Sequence, residues 1–97
     1  MSKVIWKFPI LKMLEEFELD IPKGAEILTV QMQGGRAQLW ALVESQQSTE
    51  KRTFFVCGTG QEVHPSIAEG SGRYIGTFQE EGGALIWHLF ETNWVPF

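Results

Sequence analysis

The chain has 97 residues, 43% hydrophobic and 21% charged, with a net charge of -4. That is enough for one modest core and too apolar for a disordered segment. Twelve acidic against eight basic residues argue against nonspecific duplex DNA binding, which depends on neutralising phosphates. The one cysteine, Cys57, excludes an intramolecular disulfide, and no apolar run reaches the length of a signal peptide or membrane span. The expectation is a cytoplasmic protein of one β domain over residues 1–97, away from membranes.

Lys3 to Phe8 alternates, with Val4, Trp6 and Phe8 on one face, and reads as a strand stopped by Pro9. Ile10 to Glu16 is ambiguous and too short for a stable helix. Phe17, Leu19 and Ile21 then alternate with Glu16, Glu18 and Asp20, which predicts a half-buried strand with an acidic outer face. Pro22-Lys23-Gly24 is a turn signal. Glu26 to Gln33 predicts a strand with Leu28, Val30 and Met32 toward the core, and Gly34-Gly35 a tight hairpin. The return strand, Arg36 to Ser45, is apolar on both faces at Leu39, Ala41, Val43 and at Trp40, Leu42. That pattern suits a central or sandwiched strand.

Glu44 to Lys51 reads as a polar hairpin loop and Arg52 to Gly58 as a β-branched and aromatic strand. Periodicity is lost from Gly58 to Gly72, where Ser66 to Gly70 has room for one helical turn that Ser66 would cap. Arg73 to Gln79 places Tyr74, Gly76 and Phe78 on one face. After Gly82-Gly83, Ala84 to Glu91 sets Leu85, Trp87 and Leu89 opposite Ile86, His88 and Phe90. The pattern predicts an all-β fold: a small antiparallel sandwich or barrel of about seven strands, with at most one short helical turn.

No motif for nucleophilic, metal or phosphate chemistry is complete. Gly58-Thr59-Gly60 lacks the third glycine and long helix of a dinucleotide site, although closely spaced glycines can turn backbone N–H groups toward an anion. Cys57, His64 and His88, with Glu62 or Glu69, lack the paired spacing of a zinc site, so neither metal nor cofactor is expected. The acidic stretch Glu16, Glu18, Asp20 reads as a solvated face. The preferred binding region is the irregular loop and its rim: Arg52, Thr59, Gly60, Gln61, His64, Arg73 and Tyr74, where arginine supplies bidentate recognition. Of four tryptophans, Trp6 and Trp87 match core phases. Trp40 and Trp94, with Phe97, are expected at an interface, and a homodimer is expected to cover that apolar area.

Ile5-Trp6-Lys7-Phe8-Pro9, Pro22-Lys23-Gly24-Ala25, Leu39-Trp40-Ala41-Leu42-Val43, the Gly58-Thr59-Gly60 end of the Phe54 strand and Tyr74-Ile75-Gly76-Thr77-Phe78-Gln79 run through most of the chain. In these features the chain resembles a small uncharacterised family of bacteriophages and bacterial mobile elements. The resemblance implies an accessory protein acting on host or phage components, with no catalytic residues to carry over. The expected function is non-enzymatic binding of a host or phage protein, in the manner of an anti-defence protein. The alternatives are a sponge for a small nucleotide signal and a structural virion or scaffold component.

Overall fold

Short apolar–polar alternations separated by glycine and proline turns give seven strands in two sheets. The computed structural model describes residues 2–94. The strands are β1 (Lys3–Pro9), β2 (Phe17–Pro22), β3 (Glu26–Gln33), β4 (Arg36–Glu44), β5 (Thr49–Gly58), β6 (Gly72–Glu80) and β7 (Leu85–Thr92). A single helical turn, α1 (Pro65–Ala68), interrupts the connection from β5 to β6. Sheet order is β1-β4-β3 and β2-β5-β7-β6, and every ladder is antiparallel. The fold is therefore the open, two-sheet form of the expectation, and the barrel alternative is set aside.

The core lies where the two inner faces meet. Phe17, Leu19 and Ile21 of β2, Leu39, Ala41 and Val43 of β4, Phe54 and Val56 of β5, and Leu89 of β7 are all buried there. β4 is the middle strand of its sheet, which explains why both of its faces are apolar. Both predicted glycine hairpins form, β3 with β4 and β6 with β7. The predicted polar loop after β4 is shorter than expected, because β5 already begins at Thr49. Ile10 to Glu16 is irregular. Leu14 takes a positive φ of 67° and its N–H donates to the Val56 carbonyl at 2.8 Å, so a tertiary bond replaces a local helix.

Several predicted phases are corrected by bulges. A register shift between Ile27 and Thr29 in β3 turns Ile27 inward with Val30 and leaves Leu28 exposed. A bulge opposes two residues to one, so a strand can change face without changing composition. The same device between Tyr74 and Gly76 in β6 keeps Phe78 in the core and sends Tyr74 to solvent, 51% exposed. The core assignment of Trp6 is also corrected. Val4 and Trp6 point to the inner side of their sheet, but the second sheet does not extend over them, and they are 37% and 42% exposed.

The outer strands β3 and β6 come together without forming a ladder. A Cβ on Gly76 would stand 3.1 Å from Val30 Cγ1. At the start of β6, Gly72 has a φ of +127°, and a Cβ there would meet Ile67 Cδ1 at 2.4 Å and the Glu91 carbonyl oxygen at 3.0 Å. Gly72→Ala combines a left-handed backbone with an overlap on the Ile67 side chain and a tight approach to the Glu91 carbonyl. It is expected to lower folding stability by about 1–3 kcal/mol, measured by urea denaturation. An unchanged midpoint would show that neither the backbone conformation nor these contacts resist a Cβ at this position.

Candidate functional site

The predicted site residues separate onto two sides of the β2-β5-β7-β6 sheet. Arg52 and Arg73 lie on one side, at the end of the sandwich near the β2–β3 turn. The Arg52 guanidinium forms a fork with Glu91, Nε to Oε2 at 2.6 Å and Nη2 to Oε1 at 2.8 Å, while Nη1 donates to the Ala25 carbonyl at 2.7 Å. Glu91 is 4% exposed. This arginine is held by its own fold. Arg73 donates to the Ile27 carbonyl at 3.4 Å, and its guanidinium lies 5.6 Å from the centre of the Trp94 ring. A recess lined by Gly24, Glu50, Asn93 and Trp94 adjoins the Arg52–Glu91 pair.

His64 has a local role. Its Nδ1 accepts the Ser66 backbone N–H at 3.1 Å, which makes His64, and not Ser66, the N-cap of α1. Ser66 Oγ lies 3.0 Å from the same nitrogen, and Glu16 Oε2 is 3.6 Å from Nε2. Serine, histidine and carboxylate are thus in line, a grouping invisible in the sequence because Glu16 is distant in the chain. Ser66 is only 9% exposed, and the ring nitrogen facing it already accepts a main-chain donor. The geometry closes a helical turn and packs the imidazole on Phe55, with ring centres 5.6 Å apart.

Thr59 and Tyr74 are joined on the other side of the sheet through Thr77 and His88, neither of which a sequence motif marks as part of a site. Cross-strand register places Tyr74 opposite Phe90, Thr77 opposite His88, and Cys57 on the far side of His88. Thr59 Oγ1 is 2.7 Å from His88 Nε2, Thr77 Oγ1 is 3.1 Å from His88 Nδ1, and the Tyr74 hydroxyl bonds to Thr77 Oγ1. The Tyr74 ring meets Phe90 edge-on, with centroids 5.3 Å apart. Both imidazole nitrogens are therefore occupied, and the exposed phenol is fixed at its ring and its hydroxyl. The outward phase of Ile86, His88 and Phe90 was legible in β7. Their meeting with Tyr74 depended on the bulge in β6.

Beside this chain of hydrogen bonds lies an open cleft of about 290 Å3, lined by Gly58, Thr59, Gln61 and Ala84 to Trp87. Gln61 Oε1 accepts the Gly58 N–H at 2.6 Å and shapes the turn that contains Gly60, whose φ is +84°. Cys57 is buried next to it, and that burial pushes its thiol above the ordinary range, so thiolate chemistry is disfavoured. Among the described residues no group of three or more His, Cys, Asp or Glu is placed to hold a metal ion, and no helix is long and apolar enough to cross a membrane. Of the expected interface residues, Trp40 is half-buried on the outer face of β4, with its indole N–H enclosed and unpartnered. Trp94 is half-buried against Arg73, and Phe97 lies outside the described residues.

An open two-sheet β fold with a hydrogen-bonded aromatic and histidine face defines a small β module. The chain belongs to the family described as Domain of unknown function (DUF7352), which it matches over residues 1–95. No curated protein and no solved structure matches it.

Proposed function

We propose that the protein is a non-enzymatic, phage-type accessory protein that binds a host protein through the outer face of the β2-β5-β7-β6 sheet. The observation that carries this reading is the half-exposed Tyr74, packed against Phe90 and hydrogen-bonded to the Thr77–His88–Thr59 chain. Ordering a side chain on binding costs free energy, and an aromatic already fixed in the free protein avoids that cost. Tyrosine also offers an apolar ring with a polar tip, the combination enriched at interfaces. This hydrogen-bonded chain contains no Lys or Arg, and Arg52 is occupied by Glu91. That favours a protein over a phosphate-bearing nucleotide as the partner. An anti-defence role rests on the resemblance to phage accessory proteins and on the same surface.

The test is recovery of tagged protein from phage-infected bacteria, with cross-linking, for the native sequence and for Tyr74→Ala. The expected result is one host protein cross-linked at Tyr74 and neighbouring residues, with affinity about 30-fold weaker in the variant, as for an interface anchor worth about 2 kcal/mol. Melting should change little, since Tyr74 is exposed. Equal recovery by both proteins would place the contact elsewhere. Saturable uptake of a cyclic dinucleotide in calorimetry would replace this reading with the nucleotide sponge.

A further inference from the structure

We propose that β1 joins two copies of this protein by pairing antiparallel with its own counterpart, about a two-fold axis at Trp6. β1 is an edge strand, paired on one side to β4. The Ile10 N–H donates to Ala37 and Ser2 accepts from the Ser45 N–H, both on the continuous β1–β4 register. Hydrogen-bonded residues alternate along an antiparallel strand. The even-numbered residues of β1 therefore bond to β4, and Lys3, Ile5 and Lys7 turn their N–H and C=O groups to the free edge.

Both faces of this edge are apolar at its centre. Ile5 is 59% exposed on the outer face, while Val4 and Trp6 are left uncovered on the inner one. Edge strands with exposed apolar residues and unpaired main chain are templates for strand addition.

The sequence of β1 selects a second copy of itself as the occupant, in a single register. A pairing centred on Ile5 sets Lys3 against the partner's Lys7, and one centred on Lys7 sets lysine against lysine. Directly opposed like charges are destabilising. A pairing centred on Val4 leaves Trp6 facing Ser2. Centring on Trp6 pairs Ile5 with the partner's Lys7, Val4 with the partner's Phe8, and Trp6 with the partner's Trp6. Lys3 then lies opposite the partner's Pro9, whose missing N–H costs a hydrogen bond only at the ends of the ladder. The inner pairs are the non-hydrogen-bonded ones, in which side chains come closest. Trp6, uncovered by its own second sheet, is thus covered by the partner's Trp6, and Val4 by the partner's Phe8. The same register brings each Lys7 stem between the partner's Ile5 and its own Trp40, over whose ring Lys7 Nζ already sits at 5.9 Å.

The experiment is sedimentation of the full chain from low to high micromolar concentration, combined with cysteine cross-linking. The native protein is expected to dimerise. Ile5→Pro removes only an N–H directed at the free edge and is expected to weaken the dimer at least about tenfold. Trp6→Cys is expected to form a disulfide-linked dimer on mild oxidation, because opposed non-hydrogen-bonded positions bring their Cβ atoms close, and Ile5→Cys is not. Buried Cys57 supplies no competing thiol. A native chain that stays monomeric at high micromolar concentration overturns the proposal. So does a dimer unaffected by Ile5→Pro, or cross-linking at position 5 in preference to position 6.

Discussion

Arg52→Met is expected to destabilise the fold by about 3–5 kcal/mol, the usual consequence of removing one partner from a buried ion pair. The effect is large because of what is left behind. Glu91 is 4% exposed and receives two of the three Arg52 hydrogen bonds, so its carboxylate would remain in the protein interior without a counter-charge. The Ala25 carbonyl would lose its donor as well. The double variant Arg52→Met, Glu91→Leu should recover much of the loss, since apolar side chains of similar volume can replace a buried pair without leaving a stranded charge. Urea denaturation followed by tryptophan fluorescence measures both. A single variant within 0.5 kcal/mol of the native protein, on the order of a neutral surface substitution, would show that water reaches Glu91 easily.

Phe54→Ala is expected to cost about 3–5 kcal/mol by opening a cavity at the centre of the core. Phe54 is fully buried on β5, which is paired on both sides, and its ring is 5.8 Å from that of Phe17. Neither neighbouring strand is free to collapse into the space. Phe54→Leu keeps most of the volume and should lose much less. A domain of this size has roughly 5–15 kcal/mol of net stability, so Phe54→Ala should lie close to the limit of folding. Thermal melting by circular dichroism would show it. A melting temperature within a few degrees of the native value would mean that the two sheets close over the vacancy.

The candidate surface was only partly legible. Thr59, Gln61 and Tyr74 lie in or beside a glycine-rich irregular segment, which marks them in the sequence, and they lie on or beside the outer face of the β2-β5-β7-β6 sheet. Arg52 and Arg73 are near them in the chain, yet they follow the inner phase of their strands and bond near the β2–β3 turn. Glu91 carries the inner phase of Leu85, Trp87 and Leu89. A carboxylate on a core phase was the available sign that one arginine would turn inward to meet it.

The β class, the strand alternation, the two glycine hairpins and the central place of β4 follow from the order of residues alone. Each of these follows from local rules: side chains alternate with a period of two, and tight turns require residues that tolerate positive φ. Tertiary structure alone decided which phase faces the core after the bulges in β3 and β6, and which apolar residues the second sheet leaves uncovered on β1. It also decided that His64 caps a helical turn while His88 ties Tyr74 to Thr59. The physical reason is that a one-residue bulge leaves the composition unchanged and reverses every side chain after it. Coverage of a strand, in turn, depends on how far a sheet distant in the chain extends over it, and local periodicity carries no record of that distance.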